Sequence, residues 1–167
     1  MTSTLKADKI EGVTASGTVQ MPAGMVIQTV SANTNTQVSV DSTSYVSTGL
    51  SLNITPKFSS SKILISFSAV IYIAGEGEWS IVTCYRESGT ASSGSAISGT
   101  DLAQSGVWGL GALHCDTTSN VVAANGGVIN CAGIEDSPST TSQLRYTIAY
   151  RNYDTATNYF CINTTRS

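Results

Sequence analysis

The run Lys62-Ile63-Leu64-Ile65-Ser66-Phe67-Ser68-Ala69-Val70-Ile71-Tyr72-Ile73-Ala74 sends Ile63, Ile65, Phe67, Ala69, Ile71 and Ile73 to one side of an extended chain. Leu64, Ser66, Ser68, Val70 and Tyr72 go to the other. A period of two is the signature of a strand, and β-branched and aromatic side chains suit a pleated surface. The continuous apolar side of this run is therefore expected to be core. Gly75-Glu76-Gly77 follows as a tight turn, and Trp79, Ile81, Thr83 and Tyr85 then alternate with Ser80, Val82, Cys84 and Arg86. The two runs are expected to form a hairpin, with Trp79 in the core pattern.

The same period extends outward in both directions. Upstream, Val46, Thr48, Leu50, Leu52 and Ile54 share a face until Thr55-Pro56-Lys57 breaks the strand. Downstream, strands are expected over Val107 to Cys115, weakly at Val121 and Val122, and over Gly127 to Ile134, Gln143 to Asn152 and Asn158 to Asn163. Within Gln143 to Asn152, Leu144, Tyr146, Ile148 and Tyr150 lie on one side. Ser88 to Gly106 is rich in Gly, Ser, Thr and Ala and reads as a long surface loop with at most a short edge strand. Asp136-Ser137-Pro138-Ser139 and Asp154-Thr155-Ala156-Thr157 read as turns. No segment repeats apolar residues at i, i+3, i+4 and i+7 over two turns, so almost no helix is expected. Short strands at turn spacings of about 8 to 12 residues point to an all-β fold, a β-sandwich of jelly-roll type.

Composition bounds the function. A chain of 167 residues suits one domain, and folding at this size buries about 68 to 70% of the unfolded surface. Charged residues make up 11%, against ~25% in ordinary proteins, with Ser, Thr, Asn and Gly taking their place. Such a surface suits repeated contact with identical neighbours. A net charge of −3 without a basic cluster argues against nucleic acid as a partner. No apolar stretch reaches the ~18 to 20 residues of a membrane-spanning helix. Lys6, Asp8, Lys9 and Glu11 stand where a secretory leader carries its apolar region, so a soluble, cytosolically made chain without membrane insertion is expected. Cys84, Cys115, Cys131 and Cys161 form no close pair and read as free, buried thiols.

Candidate chemistry is sparse. His114 is the one histidine, so any Ser-His-Asp, Cys-His or metal arrangement must use it. Its strand neighbour Cys115 points to the opposite face, and a surface or interface histidine is the expected role. The serines Ser92, Ser93, Ser95 and Ser98 stand in no Gly-x-Ser-x-Gly elbow. Glu76 with Glu78, and Glu135 with Asp136, raise a glycosidase pair but fall at strand ends, where carboxylates solvate turns. Gly106 to Gly111 lacks the order of a dinucleotide loop. Asn53-Ile54-Thr55 and Asn163-Thr164-Thr165 match a glycosylation pattern that a Thr-rich chain produces by chance. No enzyme activity, cofactor or metal is expected. Large aromatics stack on sugars and anchor interfaces at little entropic cost, which singles out Trp108, beside the polar loop, and Tyr153 as possible surface-binding residues.

Residues 1 to 24 differ from the rest. Gly12, Gly17, Pro22 and Gly24 separate isolated apolar residues, and such a segment cannot bury enough surface to fold alone. An N-terminal arm over 1–24, docked on a sister subunit or another protein, followed by a β-sandwich head over 25–167, is the expected organisation. A terminal strand packed on its own domain is the alternative.

The opening Thr2-Ser3-Thr4-Leu5-Lys6-Ala7-Asp8-Lys9-Ile10, followed by Met21-Pro22-Ala23-Gly24-Met25-Val26-Ile27-Gln28, is similar to the start of fibre proteins of marine and cyanobacterial tailed phages. Gly49-Leu50-Ser51-Leu52-Asn53-Ile54-Thr55-Pro56-Lys57 and Ser60-Ser61-Lys62-Ile63-Leu64-Ile65 also resemble a segment of phage fibre and spike proteins. The resemblance implies a homotrimeric, non-enzymatic virion protein on the particle surface, assembled in the host cytoplasm. Its arm would attach to other virion proteins through Leu5, Ile10, Val13 and Met21, and its β head would face a host-surface glycan or protein. The chain lacks the long shaft of such fibres. A capsid decoration protein is therefore the alternative, and a small lectin or carbohydrate-active enzyme a second one.

Overall fold

The computed structural model describes residues 25–36, 38–74, 78–103, 107–115, 125–153 and 159–162. Its strands are β1 Ser39–Val40, β2 Val46–Ile54, β3 Ile63–Ala74, β4 Glu78–Glu87, β5 Gly99–Asp101, β6 Gly111–Cys115, β7 Asn125–Asp136, β8 Leu144–Asn152 and β9 Tyr159–Ile162. No helix occurs among the described residues. One sheet has the order β1-β9-β3-β7 and the other β2-β8-β4-β5, with β6 added on β4. Every pairing is antiparallel. The all-β fold is thus present as two antiparallel sheets sharing one core, an arrangement of β-sandwich type.

Alternation explains which side of each strand is buried. From β3 come Ile63 and Ile71, and from β7 Ile129 and Ile134. The opposite sheet supplies Val46, Ile54, Val82, Cys84, Tyr146, Ile148 and Tyr150. Ile71, Val82 and Tyr150 are completely enclosed. Burying one such side chain stabilises the fold by about 1.5–3 kcal/mol, so this shared interior is the main reason the sheets stay together. Glycines allow close contact between the sheets: a Cβ on Gly111 would stand 2.6 Å from Ile129, and one on Gly127 2.7 Å from Leu113.

Two irregularities adjust the strands, one keeping the alternation of faces and the other shifting it. Between Ser47 and Ser51, three residues of β2 oppose the single Ile148 of β8. Because the excess is two, parity is kept, and Val46 and Ile54 both enter the core. The glycine in this bulge, Gly49, has φ 79°, and Thr48 caps it by donating from Oγ1 to the Ile148 carbonyl at 2.7 Å. In β7, Ala132 and Gly133 fall opposite Ser66 alone, a bulge of one residue.

The structure corrects several expectations. β3 and β4 do not form a hairpin: β3 pairs with β7 and β9, whereas β4 pairs with β5, β6 and β8. Both strands have an apolar side, and opposing sheets bury one against the other, which a hairpin would leave side by side. Asp136 is no solvated turn but the buried last residue of β7. The strand expected from Val107 begins only at Gly111. Val121 and Val122, the turn at 154–157 and the Gly75-Glu76-Gly77 link lie outside the described residues.

Candidate functional site

The second sheet turns its other face away from the core, and that face carries an aromatic cluster. Trp79 on β4 is paired in register with His114 on β6, so their side chains share one side, and their rings stack with centroids 4.3 Å apart and planes inclined by 25°. Trp108 reaches the same place from the turn that leads into β6. That turn lies flat on β4 because Gly109 adopts φ 57°, where a Cβ would be 2.5 Å from the Val82 carbonyl oxygen. Leu110 N donates to that oxygen at 2.8 Å. Tyr153 follows the end of β8 and donates its backbone N–H to the Trp79 carbonyl at 3.0 Å.

These constraints bring Trp108 and Tyr153 together in a near-parallel stack, with centroids 5.2 Å apart and planes 9° apart. Trp108 lies 4.7 Å from Trp79, which makes one continuous column of Tyr153, Trp108, Trp79 and His114. Its outer members, Trp108 and Tyr153, remain 42% and 38% exposed. Arg151 braces the column: its Nη2 donates to the Val107 carbonyl at 2.8 Å, and its Cζ lies 5.2 Å from the Tyr45 ring centroid and 5.9 Å from that of Tyr153. Tyr45 also meets Tyr85 edge-on at 5.7 Å. Burial raises the hydroxyl pKa of both tyrosines above the ordinary value, so they stay neutral beside Arg151.

The two surface-binding residues expected from sequence thus meet in space. Trp79, assigned to the core, belongs instead to this outer cluster, where it is half-buried. Its alternation placed it with Ile81 and opposite Val82 and Cys84, and it is the latter pair that faces the main core. His114, Tyr45 and Arg151 joined the cluster without any signal in the sequence, because their meeting depends on β6 and β8 flanking β4. The proposed docking residues Leu5, Ile10, Val13 and Met21 lie outside the described residues.

The acidic side chains of Glu87, Asp101, Glu135 and Asp136 are engaged in structure. Asp136 accepts both Arg86 Nη1 contacts, at 2.8 and 2.9 Å, and the Tyr146 hydroxyl at 2.6 Å. Burial, followed by that carboxylate, pushes the Tyr146 pKa well up. Glu87 accepts from Thr147 Oγ1 at 2.6 Å and from the Ala91 N–H, and its Oε2 lies 3.0 Å from Arg145 Nε. Asp101 accepts from Thr83 Oγ1 and from Ala103 N. Glu135 pairs with Lys62 at the surface. Among the described residues no cluster of His, Cys, Asp and Glu is arranged to hold a metal ion. Cys84 and Cys131 are free thiols, and burial pushes the Cys84 thiol up to about 12.

A second feature lies on the same face, toward the Arg145 end of β8. An open cleft of about 450 Å³ is lined by Thr34, Thr36, Thr48, Thr90, Ser93 and Arg145 among others. No family model, curated protein or solved structure matches the chain.

Proposed function

We propose that this chain is a non-enzymatic structural protein of a tailed-bacteriophage particle, a trimeric fibre or spike that attaches to the host surface through its β head. The observation that carries the attachment reading is the exposed Trp108–Tyr153 stack: two large rings, already ordered by Trp79 and Arg151, offer contact area with little further entropy to lose. The virion reading rests on the resemblance of residues 2–10, 21–28, 49–57 and 60–65 to phage fibre proteins. Identical weak sites on one particle reinforce one another, so high affinity per head is not required.

The jelly-roll form of the head is supported by strand pairing. With β6 set aside, β1 pairs with β9, β2 with β8, β3 with β7 and β4 with β5, as in one long antiparallel ribbon rolled into two sheets. The arm and the trimer are supported by apolar residues that one copy leaves uncovered. Met25, Val26, Ile27 and Val30 are exposed in the segment that continues from residues 1–24. On the outer side of the first sheet, Val70 and Val128 face each other across the β3–β7 pairing, and Leu64 is 75% exposed. Sister subunits and a neighbouring virion protein would cover these surfaces.

The deciding experiment counts this chain per purified particle by quantitative mass spectrometry against the major capsid protein. A small multiple of the tail's rotational symmetry is expected. Copies scaling with the capsid lattice would favour the decoration protein, and absence from the particle would remove the virion reading.

A further inference from the structure

We infer that the cleft beside Arg145 is a second binding subsite on the head, and that it takes the hydroxyl groups of a neutral glycan. This assignment rests on the attachment reading, since it names what the head attaches to.

The lining selects the ligand class. Thr36, Thr90 and Ser93 present hydroxyls to the cleft, each able to donate and to accept, and the lining exposes more polar than apolar surface. Protein interfaces need an apolar centre and drug-like ligands a mostly apolar pocket, so neither matches these walls. A polyhydroxylated ligand does.

Arg145 supplies fixed donors. Its Nε is held 3.0 Å from Glu87 Oε2, at an angle that makes an ion pair rather than a hydrogen bond. The Glu87 side chain is only 1% exposed and is locked by Thr147 and the Ala91 N–H, so the guanidinium is positioned by a buried anchor. Among the described residues, Nη1 and Nη2 make no hydrogen bond, while a quarter of the side chain remains open. The same anchor argues against an acidic ligand. Glu87 already compensates the Arg145 charge, and the described lining has no second cation, so a carboxylate or sulfate in the cleft would meet Glu87 without compensation.

The floor is shaped by the β2 bulge. Gly49 keeps φ 79°, and a Cβ there would stand 3.1 Å from Ser93 Cβ. Ser47 N donates to the Ser95 carbonyl at 2.9 Å and Gly94 N to the Ser47 carbonyl at 2.8 Å, which hold the Ser-rich loop as a wall. Arg145 and Arg151 project from the same side of β8, so the cleft and the aromatic column lie about 20 Å apart at the strand rise.

The test uses the full-length chain on an array of neutral and acidic oligosaccharides, with the affinity for each bound glycan then measured by titration. Binding to neutral glycans is expected. The double variant Thr90→Val/Ser93→Val, at exposed positions that leave the fold intact, is expected to lose about tenfold in affinity, as is Arg145→Lys, which keeps the charge but not the fork. Binding confined to acidic glycans, binding unchanged in both variants, or an array without a neutral hit overturns the assignment. If the chain is on the virion and the array is blank, the cleft assignment fails and the attachment reading stands. If cleft-dependent glycan binding occurs and the chain is absent from particles, the virion reading fails alone.

Discussion

Asp136 shows how one residue changes meaning between sequence and structure. Beside Ser137 and Pro138 it reads as a solvated turn, yet it is buried at the rim of the core, where Arg86 Nη1 donates to both its oxygens and the Tyr146 hydroxyl to one of them. Removing its charge strands a cation that is about a quarter exposed. Asp136→Asn should therefore cost about 2–4 kcal/mol, somewhat below the loss for a fully buried pair. Urea denaturation with an unchanged m-value checks this, and a loss under about 0.5 kcal/mol would mean that the pair only decorates the surface. Nothing in the local sequence announces the pair, because Arg86 is 50 positions away.

The turn before β6 is the smallest element on which the aromatic column depends. Gly109→Ala places a Cβ against the Val82 carbonyl in a left-handed backbone and should destabilise the protein by about 1–3 kcal/mol. Gly89→Ala, with nothing within 4 Å of its Cβ, is the matched control and should be nearly neutral. Near-ultraviolet circular dichroism would report the Trp108–Trp79 coupling. If the signal is unchanged in Gly109→Ala, the turn does not hold Trp108. Strand existence was legible here, since period-two runs at 46–54, 63–74 and 144–152 correspond to β2, β3 and β8. Partnership was not: the expected β3–β4 hairpin rested on proximity in sequence, whereas both strands gain more burial from opposite sheets.

At the scale of the whole molecule, the sheets enclose tyrosines that must stay neutral. Burial raises the pKa of Tyr45, Tyr85 and Tyr146 above the ordinary tyrosine value of about 10. Their contribution to stability is complete below pH 10, where folded and unfolded forms both hold the proton. It falls as pH rises above that, because the unfolded chain ionises first. Alkaline unfolding should accordingly coincide with a cooperative rise in tyrosinate absorbance, and gradual ionisation of the folded protein would contradict the burial. On the proposed trimeric reading, the full chain should have a solution mass of three times 17.3 kDa, and, if the exposed Val70–Val128 pair lies in the interface, Val128→Asp should shift it toward the single-chain mass. A wild-type monomer at micromolar concentration would count against a trimeric head.

The sequence by itself determined the all-β class, the main strands, the inward residues of β3 and β8, and the prominence of Trp108 and Tyr153. These follow from alternation and residue type, which are local properties. Only the tertiary structure decided that β3 and β4 belong to different sheets, that Trp79 and His114 join an outward aromatic column, and that Glu87 fixes Arg145 over a hydroxyl-lined cleft. Each of these depends on which strands become neighbours across long stretches of chain, a choice governed by total burial in the assembled core rather than by any short segment.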